Sequence, residues 1–163
     1  MPRAVVFLAE GFEEVEAVTP IDYLRRAGAE VVIAGVGTKC PRGARGIAVQ
    51  ADADAGELSG YFDAAVLPGG LPGADNLAAS AAVRSFCEEL WNSGKLIAAI
   101  CASPAVVLGS FGMLKGRSFT CYPGGNLITS RGAGTAGEFA LAIISYLFDR
   151  EKAAAVGKSV LFK

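Results

Sequence analysis

The sequence predicts an α/β protein, a three-layer α/β/α sandwich around a mostly parallel central sheet. Two observations carry this. Short, almost uninterrupted apolar runs (Ala4–Ala9, Phe62–Leu67, Leu96–Ile100) alternate with segments whose apolar residues recur at helical spacing. Strands that are apolar on both faces belong to sheets covered by helices on both sides. At 163 residues the chain forms one domain, 1–163, with room for a substantial core.

The elements follow in order. Ala4–Ala9 is a buried strand. Glu13 to Ala27 is a helix, with Val15, Val18, Ile21 and Leu24 facing the core and Gly28 closing its end. Glu30–Val36 is the second strand, residues 37–46 form a loop, and Ile47–Ala51 is a short edge element. Phe62–Leu67 is the third buried strand, closed by Pro68-Gly69-Gly70-Leu71-Pro72-Gly73. One helix capped by Asp75 or Asn76 then runs to Gly94, carrying Leu77, Val83, Phe86, Cys87 and Leu90 on one face. Leu96–Ile100 is the fourth strand, followed by a helix to about Gly109. Strands at Ser118–Tyr122 and Leu127–Ser130, a helix over Thr135–Phe148, and a tail with a short helix and strand-like Val160-Leu161-Phe162 complete the chain.

Composition removes several function classes. The chain has 15 basic and 16 acidic residues, a net charge of −1, and no basic block, so it lacks the footprint of a nucleic-acid binder. Hydrophobic content is 52% and mean hydropathy +0.42, yet no apolar stretch approaches the roughly 18–20 residues of a membrane helix. Glu10, Glu13, Glu14 and Glu16 stand where a signal peptide would be cleaved, so the expected location is cytosolic and the four cysteines are expected as thiols. There is no histidine. Cys–His and Ser–His–Asp hydrolysis cannot be assembled, and the commonest zinc ligand is missing. No metal or cofactor is expected, and any acid or base must be Glu, Asp, Tyr, Lys or Cys.

In such folds the site lies beyond the carboxyl ends of the strands, where connection order reverses. Three loops meet there. Cys101 follows Leu96–Ile100 directly and precedes a helix whose unpaired N–H groups and dipole favour a thiolate. Pro68-Gly69-Gly70 offers main-chain N–H groups, with glycines that let a ligand oxygen approach. In Glu10-Gly11-Phe12-Glu13-Glu14-Val15-Glu16, the helix dipole alone accounts for Glu13 and Glu14. Glu16 points toward the strand ends, where a carboxyl against a thiol would have its pKa raised and could shuttle protons. Cys87 and Cys121 fit structural positions on a helix and a strand, and Cys40 sits in a loop with no helix behind it.

With these residues in place, the chain resembles the ThiJ/PfpI superfamily, in its DJ-one branch, over essentially its whole length. The segments that carry the resemblance are residues 8–16, 66–70, 73–77, 96–102, Thr129-Ser130-Arg131-Gly132 with Gly134-Thr135, and 138–143. The resemblance implies a flavodoxin-like fold and a homodimer. It implies Cys101 as nucleophile and oxidation-prone thiol, Glu16 as its protonated partner, and Gly70 and Ala102 N–H groups as an oxyanion-type site. Arg45 looks like the arginine that crosses the dimer, and Gly69 and Tyr122 are further candidate contacts.

Two departures stand out. Where relatives often carry His-Pro, this chain has Tyr122-Pro123, so PfpI-like proteolysis is disfavoured; Tyr122 can hydrogen-bond but is a poor base near neutral pH. Relatives also place a longer segment before the strand at Asn126–Ser130, whereas here only Gly124-Gly125 intervenes. The intact flanking motifs favour a loop left out of the numbering over a shortened chain.

The expected function is a cofactor-free, cysteine-dependent enzyme on small reactive carbonyls: glyoxalase III-type conversion of methylglyoxal to a 2-hydroxy acid, or removal of such groups from glycated protein or nucleotide. The alternative is a redox-sensing or chaperone-like protein whose cysteine oxidises to sulfinic acid.

Overall fold

The computed structural model describes residues 1–115 and 125–163. Among the described residues, six strands form one sheet in the order β3-β2-β1-β4-β5-β6. They are β1 (Arg3–Ala9), β2 (Glu30–Val36), β3 (Ala53–Asp54), β4 (Ala64–Leu67), β5 (Leu96–Ile100) and β6 (Leu127–Ser130). Every pairing is parallel. Ala9 lies opposite Val36, Val66 opposite Ala98, and Ile100 opposite Ser130. Sequence order reverses between β1 and β4, so the ends of β1, β4 and β5 share one edge around that reversal.

Side-chain alternation divides the core into two layers. Ala4, Val6 and Leu8 of β1 join Ile21 and Leu24 of α1 (Glu14–Ala27), Phe139 and Ile143 of α4 (Ala136–Leu147), and Val156 of α5 (Arg150–Ser159). Val5 and Phe7 face the other way. They meet Leu77 of α2 (Gly73–Ala79), Val83 and Cys87 of α3 (Ala81–Asn92), and Val107 and Leu108 of a π-helical turn, Pro104–Leu108. Phe86 joins Phe7 and Phe62 edge-on, with ring centroids 5.4 and 5.2 Å apart. A fully buried large side chain such as Phe7 stabilises the fold by about 1.5–3 kcal/mol.

Several expectations are corrected. The helix expected from Asp75 to Gly94 is two helices. Ser80 breaks it with extended backbone, and its Oγ accepts the Val83 N–H at 3.3 Å to start α3. The first of the pair begins at Gly73, uncapped by Asp75 or Asn76; the Asn76 side chain instead donates to the Glu10 carbonyl oxygen at 2.9 Å. Residues 47–51 are not the edge strand. Ala48 forms one antiparallel bridge with Arg42, and β3 at Ala53–Asp54 takes the edge.

On α1 Ile21 and Leu24 face the core as expected, but the first turns differ. Val15 and Val18 are 48% and 46% exposed, while Glu14, Glu16, Ala17 and Pro20 are buried. Hydrophobic spacing chose the wrong rows because the strand-end turns bury the two carboxyls with their own N–H groups. The tail is not a strand either. It turns at Leu161, with φ at 55°, and the Phe162 ring lies against Gly137. The strand expected at Ser118–Tyr122, and with it Cys121 and Tyr122, lies outside the described residues. Among the described residues no helix is long and apolar enough to cross a membrane.

Candidate active site

Cys101 is the residue after β5. Its main-chain N–H donates to the Ser130 carbonyl oxygen at 3.0 Å, continuing the β5–β6 ladder by one step. The chain must then turn into the π-helical segment at once, and Cys101 takes φ = 62°, a left-handed conformation that side chains rarely adopt. The strain lifts its side chain out of the sheet, and the residue is exposed. Ser103 holds the turn down. It is fully buried, and its Oγ donates to the Pro68 carbonyl oxygen at 2.6 Å.

The loop after β4 supplies donors. Gly69 N–H donates to Glu16 Oε2 at 2.9 Å, and the N–H groups of Gly70 and Ala102 face the Cys101 sulfur, where they favour its charged form. Both glycines are required by space. A Cβ on Gly69 would stand 2.7 Å from Cys101 Cβ and from Glu16 Oε2. Gly70 has φ = 90°, and a Cβ there would meet Gly11 O and Glu13 N at 2.5 Å. The Glu13 N–H in turn donates to the Gly69 carbonyl oxygen at 2.9 Å, fastening the β1 loop to the β4 loop.

Glu16 reaches the site from the first turn of α1. It is 1% exposed and hydrogen-bonds to the Cys101 thiol. Burial pushes its carboxyl above the usual range, with the Glu13 charge acting the same way; the Gly69 N–H and the thiol only partly offset this. The thiol does not follow the expectation of a favoured thiolate. Burial, then the Glu16 charge and hydrogen bond, hold the Cys101 thiol above its ordinary value, against the pull of the Gly70 and Ala102 N–H groups. Carboxyl and thiol thus compete for one proton. Cys87 is the contrast: buried on α3, its thiol is pushed up to about 12 by burial and the nearby Glu88 charge. Cys40 is exposed in its loop.

Of the residues singled out in the sequence, the structure brings Cys101, Glu16, Gly69, Gly70 and Ala102 together. Arg45 stands apart within the single chain, its guanidinium donating to the Ala44 carbonyl oxygen at 3.4 Å. Tyr122 lies outside the described residues. Sequence reasoning missed Ser103 and Glu13 as fasteners of the site. The Ser103 signal was available, two residues beyond the cysteine, whereas Glu13 acts through its main chain and carries none.

A parallel sheet with a cysteine on a strained turn at its carboxyl edge, facing a buried carboxyl, defines a class: flavodoxin-like α/β proteins with a cysteine at a strand-to-helix elbow. Residues 2–146 match the DJ-1/PfpI family, and the chain belongs to it. It is similar to the Arabidopsis thaliana Protein DJ-1 homolog B, 41% identical over 181 positions, which take in 98% of this chain and 41% of that protein. The chain therefore spans under half of that relative's length. It is 36% identical to a Caenorhabditis elegans protein named glutathione-independent glyoxalase DJR-1.2, over 88% of this chain and 87% of that one. Among solved structures it is similar to an oxidized DJ-1 of Toxoplasma gondii, with a TM-score of 0.93, 38% identity and 99% of both chains covered. The Arabidopsis alignment, at 181 positions, is longer than this 163-residue chain.

Proposed function

We propose that the protein is a cofactor-free enzyme that converts 2-oxoaldehydes such as methylglyoxal to 2-hydroxy acids in the cytosol. The observation that carries this is the Cys101 sulfur set beside the buried Glu16 carboxyl while two main-chain N–H groups face it. A raised carboxyl beside a thiol is suited to pass protons both ways near neutral pH. The sulfur bonds to the aldehyde carbon as its proton passes to Glu16. The former carbonyl oxygen faces the Gly70 and Ala102 N–H groups and takes the proton back. Glu16 then removes the hydrogen from that carbon and delivers it to the neighbouring one, while the hydroxyl proton passes to the neighbouring carbonyl oxygen, leaving a thioester of the 2-hydroxy acid. Water opens the thioester to the 2-hydroxy acid and frees the thiol. The same adduct chemistry would serve removal of such groups from glycated protein or nucleotide.

The C. elegans relative's name supports this reading. Its test is lactate formation from methylglyoxal by wild type, Cys101→Ser and Glu16→Gln. Equal rates in all three would sink it.

The protein acts as a homodimer in this reading. Val15, Val18 and Ile47 leave an exposed apolar face beside the first turn of α1, which a second copy would cover.

A second reading, redox sensing, is favoured by the exposure of Cys101, whose two N–H donors suit sulfinate oxygens. Mass spectrometry after mild peroxide should then find Cys101 oxidised before Cys40; the reverse order would count against it.

A further inference from the structure

Gly69 and Gly70 are demanded by their surroundings; Gly132, on the other side of Glu16, is not. It follows β6 with φ = 169° and ψ = −172°, extended backbone open to any residue. Among the described residues, a Cβ there would meet one atom within 4 Å, Glu16 Oε1, at 3.8 Å, an ordinary van der Waals contact. Neither conformation nor packing calls for glycine. The missing side chain leaves room for a methyl group beside the buried carboxyl, and the residue is half-buried, so solvent reaches this room.

The wall behind the gap is fixed. Thr135 Oγ1 accepts the Gly132 N–H at 3.2 Å and donates to the Gly132 carbonyl oxygen at 2.9 Å. The Thr135 N–H donates to the same carbonyl oxygen at 2.8 Å. Thr135 Oγ1 also hydrogen-bonds to Ser130 Oγ at 2.7 Å, and the Ser130 carbonyl oxygen accepts the Cys101 N–H. One threonine thus ties Gly132 to β6, and β6 is tied to Cys101. The gap keeps its size relative to the reacting pair.

The two oxygens of Glu16 are not equivalent. Oε2 accepts the Gly69 N–H at 2.9 Å, whereas no main-chain N–H among the described residues holds Oε1. In the reaction proposed above, the carboxyl moves a hydrogen from the carbon bound to sulfur to its neighbour. Oε1 is the oxygen left open to that neighbouring carbon. A substituent on the carbon then lies between Oε1 and Gly132.

We propose that Gly132 determines which 2-oxoaldehydes the site accepts: the gap it leaves beside Glu16 Oε1 receives the alkyl group on the carbon that takes up the hydrogen. This rests on the 2-oxoaldehyde reaction proposed above and adds the residue that selects among its substrates.

The test is kcat/KM for glyoxal, methylglyoxal and 2-oxobutanal, whose substituents are hydrogen, methyl and ethyl, followed as glycolate, lactate and 2-hydroxybutanoate. In Gly132→Ala the new methyl fills the gap. The methylglyoxal-to-glyoxal ratio of kcat/KM should fall about tenfold or more, and 2-oxobutanal should lose at least as much. Gly134→Ala makes the same change two residues on, where a Cβ meets nothing within 4 Å, and should leave the ratio as in wild type. A wild type that turns over none of the three overturns the enzyme reading itself. If wild type turns them over, a Gly132→Ala that lowers all three by one factor, or leaves the ratio unchanged, overturns the role of Gly132 alone. So does a ratio shifted equally by Gly134→Ala.

Discussion

Glu14 and Glu16 stand two residues apart in the first turn of α1, both buried, and their environments drive them in opposite directions. At Glu14, burial would raise the carboxyl, but the main-chain N–H groups of Glu14, Arg45 and Ile47 and the Arg45 charge outweigh it and hold it below the usual range. At Glu16, burial wins. One main-chain N–H and a thiol face it, and the nearby charge is the like charge of Glu13. Burial alone therefore assigns neither role. The count of fixed donors decides: a well-supplied carboxylate is held charged as a structural clasp, and a poorly supplied one is pushed toward its protonated form, the state the proposed chemistry uses.

The largest effect should come from removing the poorly supplied group. Glu16→Gln should lower kcat/KM for lactate formation by at least about 100-fold, the scale of a lost general acid-base. Glu14→Gln should leave far more activity; comparable losses in the two would erase the contrast. Next, Gly69→Ala should part Glu16 from Cys101, since the new Cβ would crowd both at 2.7 Å. A loss of at least about tenfold in kcat with KM little changed is the expected signature of a misplaced reacting pair.

Stability against pH separates the carboxyls by sign. Glu14 has a lowered pKa, so its contribution is present above the ordinary carboxylate range and is lost as pH falls through its folded value. Glu16 has a raised pKa, so its contribution is present below the ordinary range and is lost as pH rises through its folded value. Near neutral pH, Glu14→Gln should destabilise by about 1–3 kcal/mol, while Glu16→Gln should be neutral or stabilising. Thermal melts between pH 4 and pH 8, about the span over which shifted carboxyls titrate, check this; parallel profiles would contradict it. The smallest effect is at Ser103→Ala. It removes the 2.6 Å tie to Pro68 and should cost about 1 kcal/mol in denaturant melts.

The same contrast explains what the sequence could reveal. β1, β4 and β5 are apolar on both faces and unambiguous, and Cys101 and Gly70 follow because a strand must turn sharply there into the next segment. The face of α1 was not legible, because hydrophobic spacing ranks Val15 above Glu16 and carries no information about waiting N–H groups. The break at Ser80 was hidden for a related reason: a serine within an otherwise helical pattern caps a new helix only when tertiary packing turns the chain there. The placement of residues 43–47 depends on Glu14, thirty positions away in the chain, and no local pattern encodes such a bond.

The parallel register of the sheet has a kinetic consequence. Every pairing joins strands separated by a crossover, and Ile97 meets Leu127 only after a long loop has closed. The donors around Cys101 come from the ends of β4 and β5, and its proton partner comes from the helix after β1. No folding fragment can hold them in place before those pairings exist. The surroundings of this thiol are therefore completed late on the folding path, and they report assembly of the whole sheet and not of any one element.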